Sequence, residues 1–157
     1  MKNPTWKTEV IGLWETIRND PYIVFLFPMF FASNWFYTYQ FQDVNHARFN
    51  TRTRTLNNAL YWMAQMFGAL IFGFALDFPN IRRTTRARLA WITMFGLTFA
   101  IWGGGYVFQR RYTRKDADKK DPDHFAYDWT TSGVGGPMVL FICYGFYDAA
   151  WQTCVYW

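Results

Sequence analysis

The sequence predicts an all-α membrane protein, four transmembrane helices preceded by an N-terminal amphipathic interfacial helix. Three observations predict it. Formal charges sit in blocks; three of the stretches between the blocks run for 21 or 22 residues with no charge at all, and a fourth, from Trp129 to Trp157, is broken only by Asp148. A helix of about 20 residues covers the ~30 Å hydrocarbon core of a bilayer. Aromatic residues make up 23% of the 157-residue chain and gather near the ends of the charge-free runs, where amphipathic rings prefer the headgroup level.

Residues 1–20 form the first element. Trp6, Val10, Leu13, Trp14 and Ile17 recur at helical spacing, with Lys7, Glu9, Glu15 and Arg18 on the other side. Pro4 suits a first helical turn, and Asn19, Asp20 and Pro21 end the element. Two tryptophans on the apolar stripe point to a helix lying in the membrane interface. Taken alone, a helix packed on a soluble core fits the same pattern.

Residues 21–157 form a four-span membrane region, with spans at about 21–42, 55–76, 89–109 and 136–157. The first three are the charge-free runs. Soluble core helices are seldom uncharged for so long, because one face must meet water. Asn34, Gln40, Asn57, Asn58 and Gln65 interrupt the apolar character, as inward faces of a multi-span bundle tolerate. Tyr37, Tyr61 and Trp62 read as interfacial aromatics. Ala64/Gly68, Ala69/Gly73, Gly96/Ala100/Gly104 and Gly145/Ala149 are small-residue rows that let helices approach closely. The third loop, rich in Lys, Arg and Asp between 110 and 128, reads as a mixed-charge hydrophilic segment.

Orientation does not follow from charge. The N-terminal segment and second loop carry seven Lys and Arg, and the first and third loops carry nine. These arginines flank spans, which is a commoner role for them than nucleic-acid binding. Enzyme signatures are missing: there is no Gly-x-Ser-x-Gly, no His-Glu-x-x-His and no phosphate-binding Gly-rich loop. His46 and His124 stand alone in loops, so the sequence points to no metal and no cofactor.

Asp148 is the leading site candidate. It interrupts the fourth span, where an ionised carboxylate costs some ~2.5–3.5 kcal/mol on insertion scales. Tyr144 and Gln152, four residues to either side, share its helix face. Asn34 and Gln65 are candidates to extend this polar stripe across helices. At the exit of the second span, Gly73 and Asp77 precede Arg82 and Arg83, a carboxylate followed by arginines able to pair or to cap a neighbouring helix. The competing reading of Asp148 is a structural hydrogen bond between helices.

The strings NWFYTYQFQDVN (34–45), RTRTLNN (52–58), IWGGGY (101–106) and YGFYDAAWQTCVYW (144–157) resemble fungal members of the uncoordinated-93-like family. That family belongs to the major facilitator superfamily, with twelve helices in two six-helix halves. The resemblance implies that NPTWKTE (3–9) and IGLWE (11–15) correspond to the central loop before the second half, and the four spans to the first four helices of that half. It implies a truncated chain, since the sequence stops at Trp157 inside an aromatic helix. Gly73, Asp77, Arg82 and Arg83 resemble the superfamily's cytosolic loop motif, which implies a cytosolic N-terminus. Phe78 replaces the usual basic residue of that motif, Asn80 stands where its glycine belongs, and one extra residue precedes the arginines. Expected partners are the lipid bilayer, the remaining helices of the full-length protein or another membrane protein, and not nucleic acid. The expected function is transport of a small solute, or non-transporting regulation or trafficking of channels and other membrane proteins.

Overall fold

A computed structural model describes residues 5–117 and 126–157. It contains helices and, among the described residues, no strand, only an isolated bridge between Phe49 and Tyr127. The chain divides into two compact units, residues 1–35 and 36–157.

In the first unit, α1 (Trp6–Asn19) buries no residue. Glu9 in its first turn and Arg18 in its last complement the helix dipole. A 3-10 turn, Pro21–Leu26, follows, its start fixed by Asp20 Oδ1 accepting the Tyr22 N–H at 3.1 Å. The short α2 (Phe27–Ala32) comes next, and residues 33–36 are a turn. The run 21–42 is therefore not one span-length helix. Pro21 and Pro28 lack the N–H that a continuous ladder needs. The Ser33 hydroxyl donates to the Phe30 carbonyl at 2.6 Å, a local bond that favours the turn.

The second unit opens with helical residues that wind as a π-helix over Tyr39–His46 and bury Gln40, Val44 and Asn45. The long helices α3 (Thr51–Leu76) and α4 (Arg83–Gln109) follow, then the single turn α5 (Arg114–Ala117) and finally α6 (Gly135–Tyr156). Each long helix begins before its charge-free run, at Thr51 and not 55, and at Arg83 and not 89. Arginines in a first turn do not end a helix; they extend it to the level where their charge is hydrated. Asn50 caps α3 by accepting the Thr53 N–H at 3.0 Å. The charged residues at 118–125, His124 among them, lie outside the described residues.

By length and composition α3 and α4 are able to cross a membrane. Their surfaces run opposite to those of a water-soluble bundle. Trp62, Met66, Phe67, Leu70 and Phe74 of α3 and Trp91, Phe95 and Phe99 of α4 are exposed. Gln40, Thr53, Asn57 and Asp148 have no exposed surface. Water as solvent would reverse that distribution. An aromatic-rich water-soluble helical domain does not fit these faces. α6 is 22 residues long but carries Asp148, Gln152 and several tyrosines, and it is more buried than α3 or α4.

α3 and α6 pack on their small residues. A Cβ placed on Gly68 would lie 2.7 Å from the Phe146 carbonyl oxygen, and one on Gly145 would lie 2.5 Å from that of Tyr61. The predicted rows Ala64/Gly68 and Gly145/Ala149 thus meet each other. The other two rows do not serve this contact: a Cβ on Gly73 or Gly96 would meet nothing within 4 Å, and one on Gly104 of α4 would meet Leu140 of α6 at 3.4 Å.

At the N-terminal end of α3, residues 126–130 cross the loop before that helix. The Tyr127 N–H donates to Arg48 O at 2.7 Å, the Asn50 N–H to Tyr127 O at 3.0 Å, and the Trp129 N–H to Thr53 Oγ1 at 2.8 Å. The Arg48 guanidinium lies over the rings of Tyr112 (4.5 Å) and Tyr127 (4.7 Å). Burial pushes the Tyr112 phenol up to about 12, so it offers Arg48 a neutral ring at physiological pH. Arg48→Lys keeps the charge and loses the planar stack. We expect a loss of about 0.5–2 kcal/mol, seen as faster chymotryptic cleavage at Tyr127 in the full-length protein.

Candidate functional site

The site grows from the contact of α3 with α6. Glycines bring the two backbones together, so side chains one turn from the contact are forced to meet. Asp148 on α6 is buried there with no exposed surface. Its Oδ2 accepts hydrogen bonds from the Tyr37 hydroxyl at 2.5 Å, the Tyr61 hydroxyl at 3.2 Å and the Gln65 amide. Gln152, one turn on, interacts with the same carboxylate. All four partners are uncharged, and they come from the segment before the π-helix, from α3 and from α6 itself.

Tyr61 also faces Gln40, whose Oε1 lies 2.9 Å from its hydroxyl. One hydroxyl hydrogen cannot serve both acceptors at once. Either Tyr61 donates to the carboxylate, or it donates to Gln40. The carboxylate therefore competes with an amide for a single proton donor. Around this polar centre the rings of Phe41, Tyr61 and Phe141 pack with centroids 5.0–5.7 Å apart. A wall of this kind keeps the local dielectric low and strengthens each polar contact.

The sequence candidates fall into three groups. Gln65 and Gln152 join Asp148. Tyr144 does not bond to the carboxylate: its hydroxyl abuts Gly105 of α4, where any Cβ would collide with it, and its ring lies 5.4 Å from Trp102. Residues four apart share a face, but a ring as long as tyrosine's reaches past that face to the next helix. Asn34 belongs to the first unit, where its amide donates to Ser33 Oγ at 3.0 Å.

Tyr37, Gln40 and Tyr61 were missed as site residues. Two of them read as interfacial aromatics, yet Tyr61 has no exposed surface. The available signal was the spacing of Thr53, Asn57, Tyr61 and Gln65, a polar residue at every fourth position along one helix face.

The loop-motif candidates lie at the opposite end of α3. Asp77 ends α3 and accepts from Trp157 Nε1 at 3.2 Å, while Arg83 and Arg86 lie over the Trp157 ring at 5.1 and 5.4 Å. Arg82 is the exposed N-cap of α4, and a Cβ added to Gly73 would meet nothing within 4 Å. Arg86, outside the candidate set, satisfies one of the last carbonyls of α3 by donating to Leu76 O. The basic residue that caps the helix is thus a turn further along than the sequence pattern suggested.

Comparison with known proteins gives relatives along nearly the whole chain. It is 46% identical over 156 residues, 99% of its length, to an UNC93-like protein of Schizosaccharomyces pombe. It is 37% identical over 88% of its length to UNC93-like proteins 1 and 2 of Arabidopsis thaliana. A further membrane protein of S. pombe is 31% identical over 99% of the chain. The chain spans only 31%, 29% and 30% of the length of these relatives, respectively. No protein-family model and no solved structure matches it.

Proposed function

From a chain homologous along its length to UNC93-like membrane proteins, we propose that it forms four membrane spans of a multi-pass, major-facilitator-type carrier for a small solute. In this reading residues 21–157 supply the first four helices of the second half, the first of them interrupted by the turn at 33–36, α1 rests on the cytosolic interface, and the protein is not an enzyme. The carrier works by rocking two helix bundles about a midplane site.

One observation carries the proposal. Asp148 is a fully covered carboxylate held by neutral side chains from three elements, inside a helical unit whose exterior is apolar. An ionisable group at that depth is expensive, and such groups mark substrate and ion pathways. A structural tie between α3 and α6 does not require it, because Gly68 and Gly145 already bring those helices together.

The test is uptake into vesicles reconstituted with the full-length protein. We expect solute accumulation that Asp148→Asn reduces at least about tenfold, the effect of removing ~1.4 kcal/mol from a rate-limiting interaction. The rival reading is a non-transporting regulator or trafficking partner. It is favoured by the way Tyr37, Tyr61 and Gln65 already occupy Asp148, as a purely structural crosslink would have them do. Absence of uptake for any solute, together with co-purification of a channel or cargo protein, would support that rival.

A further inference from the structure

Thr53, Asn57, Tyr61 and Gln65 lie on one face of α3, spaced by four. At ~1.5 Å per residue this face runs about 18 Å along the helix. Thr53, Asn57 and Tyr61 have no exposed surface. Polar side chains from the π-helical segment flank the line: Asn57 Nδ2 donates to Asn45 Oδ1 at 3.2 Å, and the Tyr61 hydroxyl meets Gln40. The line starts where Thr53 Oγ1 accepts the Trp129 N–H, and it ends at Asp148.

The step from Thr53 to Asn57 has no direct hydrogen bond, and neither has the step from Asn57 to Tyr61. Beside that step the structure leaves two buried polar atoms without a partner, Asn57 Oδ1 and Gln40 Nε2. One is an acceptor and the other a donor, the pair of groups that a buried water satisfies. Orphaned polar atoms in an interior cost free energy, so their presence along one line calls for an account beyond packing.

We infer that this face of α3 is the path by which a proton reaches Asp148 from the Trp129 end of the helix, making the proton the coupling ion; the inference rests on the carrier reading above. The proton enters from hydronium, leaves water behind and converts the Asp148 carboxylate to the neutral acid. Only O–H bonds change. The ionised carboxylate draws the Tyr61 hydrogen; once Asp148 is neutral, that hydrogen is free for Gln40 Oε1, so Tyr61 turns with the charge of Asp148. A proton suits the site because it needs no space beside a carboxylate that has no exposed surface, and water held by the unsatisfied amide atoms would carry it across the gaps in the line.

Among the described residues, no cationic side chain competes for the carboxylate. α3 carries no charge between Arg54 and Asp77, α4 none between Arg88 and Arg110, and Asp148 is the only charged residue of α6. The titratable groups facing Asp148 are the phenols of Tyr37 and Tyr61, with Tyr144 and Tyr147 nearby on its own helix and turned toward α4. In the π-helical segment, Asp43 and His46 are exposed.

The experiment uses full-length protein in sealed vesicles, with the pH of the two compartments set independently. Dicyclohexylcarbodiimide, an apolar reagent that modifies protonated carboxyls, is mapped to Asp148 by mass spectrometry. Labelling is expected to be lost as the compartment facing Trp129 is made alkaline, and to ignore the compartment facing Asp77. Asn57→Leu, and Thr53→Val at the mouth, should abolish that response while Asp148 still labels with both sides acidic; Asn57→Gln should retain it. Labelling that follows the Asp77 side, ignores pH on both sides, or keeps its response in both path variants would overturn the inference. PH-responsive labelling without solute uptake would support the proton path and sink the carrier reading. Uptake with unresponsive labelling would do the reverse.

Discussion

Asp148→Ala in the full-length protein should lower stability by about 1–3 kcal/mol, while Asp148→Asn should fall within about 1 kcal/mol of the parent. The alanine leaves the Tyr37 hydroxyl and the Gln65 amide without their acceptor, while the Tyr61 hydroxyl turns to Gln40 Oε1. A buried polar group stranded in this way costs about 1–3 kcal/mol. Against this stands the relief from burying a charge, about 2.5–3.5 kcal/mol on insertion scales. Two stranded donors, with the cavity left by the side chain, outweigh one relieved carboxylate. Asparagine keeps an acceptor oxygen and sheds the charge, so the two effects nearly cancel. Thermal denaturation in detergent separates the pair; equal melting temperatures for the two variants would mean that the hydrogen bonds do not hold the fold.

Gly145→Leu should be comparably damaging, and through backbone. Even a Cβ at this position would lie 2.5 Å from the Tyr61 carbonyl oxygen and 3.0 Å from its ring. Neither atom can swing away without moving α3, so the helices must part. Overpacking of this kind costs about 1–3 kcal/mol for a few added carbons, and leucine adds a branched chain beyond the Cβ. Because Tyr61 is also a donor to Asp148, the same shift loosens the site. Gly73→Ala is the control. Its Cβ meets nothing within 4 Å, and alanine in a helix gains up to about 1 kcal/mol over glycine. A Gly145 variant that melts with the Gly73 variant would show that α3 and α6 are not in close contact.

What the sequence made legible was set by solvent. Charge-free length and aromatic ends identified α3 and α4 because lipid imposes those features on every residue of a span. Asp148, Gln65 and Gln152 were legible for the same reason, as polar atoms in apolar surroundings. Tyr61 was not, because a tyrosine near a span end has the same composition whether it faces headgroups or a carboxylate. The break in 21–42 was foreshadowed by Pro21 and Pro28, whose missing N–H groups outweighed a continuous apolar run. Tyr144 illustrates the limit of face arguments: spacing fixes where a Cβ starts, and packing against Gly105 fixes where the ring goes.

The winding of Tyr39–His46 sets a phase. Gln40 and Asn45 are five residues apart, and both are buried to within 1% exposure. At 3.6 residues per turn, positions five apart diverge by about 140°, so an ordinary α-helix would turn one amide inward and the other outward. Rings closed at i→i+5 bring both to the same side. Deleting one residue between them would restore the ordinary pitch and, with it, four-residue spacing for the two amides. Inserting one would undo the alignment. Length changes in this short stretch are therefore signed: one direction is absorbed by unwinding the bulge, the other strands an amide in lipid.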